Sequence, residues 1–168
     1  MEPSKPLVLV DVDGVLNPAR SQAPGYRRQW VFPGGLARRL LLNPSHGPML
    51  AELAEVADAE LVWATYWRNR ANIWVAPRVG LPTLRFVPIP RCWRPPAGSS
   101  LGIWKAIHVA AWVGLTSFVW FEDDASAVSH LARQEGLGRH LMVKVDPLIG
   151  LTDSHVERAR AWLNDLRR

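Results

Sequence analysis

The segment Leu7-Val8-Leu9-Val10-Asp11-Val12-Asp13-Gly14 constrains this chain more than any other. An apolar run of strand length ends in two carboxylates spaced i, i+2, and a glycine follows at once. Residues two apart on a strand point to the same side. Two acids on one side at the carboxyl end of a strand stand where open α/β sheets bind their ligands. Like charges that close are costly unless a cation or a shared proton relieves them. The segment therefore reads as a metal-assisted or acid/base site rather than as fold support.

The rest of the chain reads as alternating strands and helices. After the first strand at 7–11, the stretch 17–45 is rich in Pro, Gly and Arg and holds little periodicity. That is long for a structureless connection, so it is expected to be a functional flap or lid. A helix is expected at 47–58, a strand at 60–65, a short helix at 69–76 and a strand at 83–89. Beyond the loop at 95–100 come a helix at 103–113, a strand at 117–121, a helix at 126–135, a strand at 141–145 and a terminal helix at 153–166. The alternation makes the class α/β with a mostly parallel sheet, and the 168 residues suit a single domain spanning 1–168.

Three strands carry polar residues just past their apolar runs: Asp11 and Asp13, then Thr65, then Glu122, Asp123 and Asp124. In a parallel sheet these ends share one edge, so five of the fifteen acids converge on one crevice. Lys105, in the helix before the strand at 117–121, is placed to reach it. The set suits phosphoryl transfer. A hard cation takes carboxylate oxygens, an aspartate can act as nucleophile, and a second carboxylate can serve as acid and base. A hydroxyl and an ammonium can hold the phosphoryl oxygens. Taken singly, each residue has a plainer reading. Asp-Gly after a strand is often a turn, Thr65 a strand-end hydroxyl and Lys105 a solvated helix residue. The acidic run before the helix at 126–135 also suits N-capping, Asp124 above all. The histidines, His46, His108, His130, His140 and His155, form no metal-like spacing and read as surface or core residues.

These residues resemble the haloacid dehalogenase-like (HAD) hydrolase superfamily, which consists mainly of Mg²⁺-dependent phosphatases. Asp11-Val12-Asp13-Gly14-Val15-Leu16-Asn17 is similar to its first motif, Thr65 to the second, Lys105 to the third and Glu122-Asp123-Asp124 to the acidic fourth, in that order. Trp63-Ala64-Thr65-Tyr66-Trp67, Ala71-Asn72 and Gly150-Leu151-Thr152 further resemble the small uncapped domains associated with bacterial and phage RNA-repair proteins. The resemblance implies a Rossmann-like, three-layer α/β/α fold on a five-stranded sheet. It implies Asp11 as nucleophile, Asp13 as general acid/base, Thr65 on the phosphoryl oxygens and Lys105 as the neutralising cation. It implies Mg²⁺ on Asp11, Asp13, the Val12 carbonyl and Asp123, with Asp124 or Glu122 assisting. Neither gap between motifs has room for a separate folded cap, and an open site suits large substrates such as nucleic-acid ends.

Composition bears on the partner. The net charge of +5 is nearly all arginine, since Lys5, Lys105 and Lys144 are the only lysines. Arginine grips phosphate bidentately and stacks on bases. Arg20, Arg27, Arg28, Arg38, Arg39, Arg68 and Arg70 flank the site in sequence and form either a basic rim or an ordinary solvated surface. Trp63, Trp104, Trp112 and Trp120 fall in apolar segments and read as core. Trp30, Trp67 and Trp93 lie in arginine-rich loops, as base-stacking groups or as loop anchors. The single Cys92 excludes an internal disulfide, no apolar run is long enough to span a bilayer, and no signal-peptide pattern opens the chain, so a cytoplasmic setting is expected. The expected function is an Mg²⁺-dependent phosphatase acting through an aspartyl-phosphate on a phosphorylated substrate, with nucleic-acid ends foremost. The alternative is a non-catalytic module that uses the same fold to hold nucleic acid or protein.

Overall fold

Leu7–Val10 forms the central strand β1, because its four apolar side chains are buried and its neighbours satisfy the backbone on both sides. The structure is a computed structural model and describes residues 5–20, 23–92 and 94–168; Trp93 lies outside the described residues. The remaining elements, in chain order, are β2 (Arg27–Val31), β3 (Arg38–Leu42), α1 (His46–Val56), β4 (Glu60–Trp63), α2 (Asn69–Trp74), α3 (Ala76–Val79), β5 (Arg85–Phe86), α4 (Leu101–Val113), β6 (Phe118–Glu122), α5 (Ala125–Leu131), β7 (His140–Lys144) and α6 (Asp153–Leu166).

Five strands form one wholly parallel sheet in the order β5-β4-β1-β6-β7. Val8 lies opposite Leu61 on one side and Val119 on the other. Alternation then splits β1 between two cores. Val8 and Val10 pack with Leu50 and Leu53 of α1 and Val156 and Leu163 of α6. Leu7 and Leu9 pack with Ala106 and Val109 of α4 and Leu131 of α5. The result is the three-layer α/β/α, Rossmann-like arrangement that the sequence implied. The strand order reverses between β1 and β6, and such a switch point opens a crevice beyond the strands' carboxyl ends. No described helix is long and apolar enough to cross a membrane.

The segment 17–45 departs most from its reading. It contains an antiparallel hairpin, β2–β3, with Trp30 opposite Arg39. Val31, Leu40 and Leu42 on its inner face are buried in the same core as β1. The alternation was masked because β2 buries only one residue fully and Leu40-Leu41-Leu42 runs apolar through both faces. Elsewhere the differences sit at ends. The strand expected at 83–89 shrinks to Arg85–Phe86, where Pro88 supplies no amide donor. The helix expected at 69–76 divides at Val75, next to Pro77. Trp63 and Trp120 are fully buried, and Trp104 and Trp112 pack at the edge of the second core.

His46 opens α1 in a buried position, its ring edge-on to Tyr26 with centroids 5.4 Å apart. Burial pushes its imidazole down to about 4, with the Asp153 carboxylate pulling weakly the other way. Folded His46 therefore stays neutral where the unfolded chain takes up a proton, and its contribution to stability is present above about pH 6.5 and lost as pH falls toward 4. Urea unfolding of the wild type should lose up to ~3 kcal/mol more between those pH values than unfolding of His46→Gln. Equal losses in the two proteins would refute this account of the histidine.

Candidate active site

Asp11 follows β1 directly, and its amide still donates to the Phe121 carbonyl of β6, so the carboxylate begins at the switch point. It is buried, with Oδ1 accepting from the Val12 amide at 2.7 Å and Oδ2 accepting from Lys105 Nζ at 2.5 Å. Lys105 arrives from α4, whose first turn is capped by Ser100 Oγ accepting from the Ile103 amide. Its ammonium also lies 2.6 Å from Glu122 Oε2 at the end of β6, an ion pair in distance without the alignment of a hydrogen bond. Burial works to lower the Lys105 ammonium, but the Asp11 and Glu122 carboxylates outweigh it and hold the group above its ordinary value. Burial, then the charge of Asp11, pushes the Glu122 carboxyl well up, against the pull of Lys105.

The three acids at the end of β6 part company. Glu122 is fully buried and has both oxygens engaged, Oε2 by Lys105 and Oε1 by the Asp124 amide. Asp123 faces the cleft, and one oxygen each from Asp11, Glu122 and Asp123 lie within 4.8 Å of one another. Burial, then the Asp11 charge, raises its carboxyl. Asp124 caps α5, with Oδ1 accepting from the Ser126 and Ala127 amides and the Ser126 hydroxyl. The structure thus leaves Asp124 out of the oxygen cluster and gives it the capping role.

Gly14, at φ +80°, lets the first turn lie against Asp123, where a Cβ would run into the carboxyl group. The Val12 carbonyl is a correction to the expected metal set. It accepts from the amides of Val15, Leu16 and Asn17, so it closes the turn and is not free. Among the described residues no backbone amide reaches the Asp13 carbonyl. The Asp13 side chain stands outside the oxygen cluster, half-exposed on the cleft. Its Oδ2 accepts from Trp67 Nε1 at 2.8 Å and from Arg38 at 3.3 Å, and its Oδ1 from Asn17 Nδ2 at 2.9 Å. Thr65 is buried beyond β4, with Oγ1 accepting from the Trp67 amide, which leaves the hydroxyl proton to donate elsewhere.

Asp11, Asp13, Thr65, Lys105, Asp123 and Asp124 open on one cleft of about 730 Å³, and Glu122 lies buried behind it. Its floor holds Asp11, Asp13, Thr65, Lys105 and Asp123, and its rim holds Arg20, Arg28, Arg38 and Arg39. Arg27, Arg68 and Arg70 do not line it; Arg68 covers the Phe86 ring instead. Trp67 is a buried anchor rather than a stacking group, under the Arg38 guanidinium at 5.0 Å. Sequence reasoning assigned no role to Asn17, although it stands in the first motif. Its amide donates to Asp13 and its Oδ1 accepts from the Leu41 amide of β3.

The match to known families agrees with this geometry. Residues 7–156 match the family described as the HAD domain in Swiss Army Knife RNA repair proteins. The chain belongs to that family. No curated protein and no solved structure matched the chain in the corresponding searches. Members of the HAD superfamily use Mg²⁺, and the donor set here fits such a cation: three carboxylates from β1 and β6 face one ammonium, and hard cations take oxygen ligands. Asp11, Glu122 and Asp123 are the carboxylates whose oxygens come together to hold it.

Lys105→Met tests the charge balance. It leaves Asp11 and Glu122 facing each other without their cation and should cost about 3–5 kcal/mol in chemical denaturation. A variant as stable as the wild type would show that the carboxylates do not depend on the ammonium.

Proposed function

We propose that this HAD-family chain is an Mg²⁺-dependent phosphohydrolase that works through an aspartyl-phosphate on Asp11 and acts on phosphate ends of nucleic acid. The observation that carries the reading is Asp11 itself, buried at a switch point, fixed by Lys105 and opening on a cleft with a second carboxylate, Asp13. An Asp11 oxygen attacks phosphorus as the bond to the leaving oxygen breaks, and Asp13 gives that oxygen its proton. Asp13 then takes a proton from water, whose oxygen attacks the aspartyl-phosphate. The phosphorus–Asp11 bond breaks, inorganic phosphate leaves, and both acids return to their starting states.

Lys105 holds the Asp11 carboxylate in one orientation and balances charge beside it. Thr65 has a hydroxyl proton for a phosphoryl oxygen, since its lone pair already takes the Trp67 amide. Trp67, Asn17 and Arg38 keep Asp13 turned toward the cleft. When bound, Mg²⁺ supplies a positive charge that stabilises the transferring phosphoryl group. Two things support nucleic-acid ends as substrate. The family's members stand in RNA repair proteins, and the four rim arginines suit a polyanion.

Release of inorganic phosphate from an aryl phosphate and from oligonucleotides with terminal phosphates should require Mg²⁺ and stop on chelation. Asp11→Asn should lower it by about 10³-fold or more while the melting temperature holds, because the amide keeps the carboxylate's shape. Full activity in Asp11→Asn would overturn the mechanism. Oligonucleotide binding without release from any substrate would leave the chain a binding module.

A further inference from the structure

We infer that the outer face of the β2–β3 hairpin is a platform for the single-stranded nucleotides next to the phosphate end, with Trp30 stacking on a base and Arg28 and Arg39 on the backbone. The inference deepens the reading of the cleft as a site for nucleic-acid phosphate ends, and rests on it. In the hairpin, Val31, Leu40 and Leu42 face inward and are buried, so the alternating positions Arg28, Trp30, Arg39 and Leu41 share the outer face. Trp30 lies directly opposite Arg39 and is 59% exposed. Arg28 and Arg39 line the cleft.

These groups are free to take a ligand. Among the described residues no carboxylate pairs with Arg20, Arg28 or Arg39. Arg38, by contrast, is spent on Asp13 and Trp67. The neighbouring exposed aromatic, Phe32, packs edge-on against Trp74, whereas Trp30 has no ring partner among the described residues. The platform is also in register with the chemistry. Asn17 holds both Asp13 and the Leu41 amide, and Arg39 stands two residues, or about 7 Å, further along the strand. A flat indole with guanidinium groups beside it fits an unpaired base and its phosphates, because any base offers a π-face when it is not stacked in a duplex.

The test is anisotropy of a short labelled single strand with a terminal phosphate on the Asp11→Asn chain, titrated across salt concentrations. Trp30→Ala should weaken binding about tenfold or more without changing the salt slope, since a stacked base releases no counterion, and Trp30→Phe should restore most of it. Arg39→Ala should lower the slope by about one. Unchanged binding in Trp30→Ala, or a blunt duplex held as tightly as the single strand, overturns the platform. Asp11-dependent hydrolysis of an aryl phosphate, measured alongside, separates the two readings. If hydrolysis is present and Trp30→Ala has no effect, the platform alone fails. If hydrolysis is absent and Trp30→Ala weakens the strand, the catalytic reading alone fails. Thermal melting of each variant confirms that it is folded.

Discussion

A single ammonium organises the molecule. Lys105 Nζ sits 2.5 Å from Asp11 and 2.6 Å from Glu122, and so joins α4 to the ends of β1 and β6 where the strand order reverses. Taking these charges out of water is expensive, and a buried ion pair is weak evidence for stability in itself. On the proposed reading, the carboxylates are needed together at that edge. With Asp123 beside them, one cation faces three acids. The imbalance is relieved by a second cation or by a shared proton, and it follows from where the sheet brings its strand ends.

Close approach of backbone to carboxylate makes the imbalance possible. Gly14 lies against Asp123, and Gly102, in the first turn of α4, lies against Asp124, in both cases where a Cβ would collide. The hydroxyls of Ser100 and Ser126 meet at 2.6 Å and draw the starts of α4 and α5 together. The acidic run is therefore three residues with three tasks. Glu122 turns inward and holds Lys105, Asp123 faces the cleft, and Asp124 closes the helix. Each task follows from where its residue falls, as the last position of a strand, the first of a loop and the cap of a helix.

That division marks the limit of what the sequence made legible. The apolar runs ending in Asp11, Thr65 and Glu122 foretold the parallel sheet and the shared edge, because strand burial and strand ends are local properties. The capping role of Asp124 was legible too, since its acceptor contact is with the amide two residues on. The parting of Glu122 from Asp123 was not local, because it depends on Lys105 coming in from α4. The Val12 carbonyl misled for a similar reason, since only the folded turn shows three amides converging on it. The hairpin stayed hidden because arginines occupy its exposed positions and only Val31, Leu40 and Leu42 mark its inner face. Of the arginines read as a rim, four reach the cleft, and linear proximity did not separate them from Arg27, Arg68 and Arg70.

The hairpin and the acid are mechanically one unit. Asn17 binds Asp13 through its Nδ2 and the Leu41 amide through its Oδ1, so one side chain spans the first motif and β3. Arg38, at the start of β3, reaches the same carboxylate while lying on Trp67, which donates to it from beyond β4. Three donors from three parts of the chain fix Asp13, and two of them are tied to the hairpin. The hairpin is thus joined to Asp13 by two polar contacts and seated on the core by the buried Val31, Leu40 and Leu42. On the proposed reading, a ligand held at the wall of this cleft lies beside the contacts that orient Asp13, so recognition and chemistry share their supports.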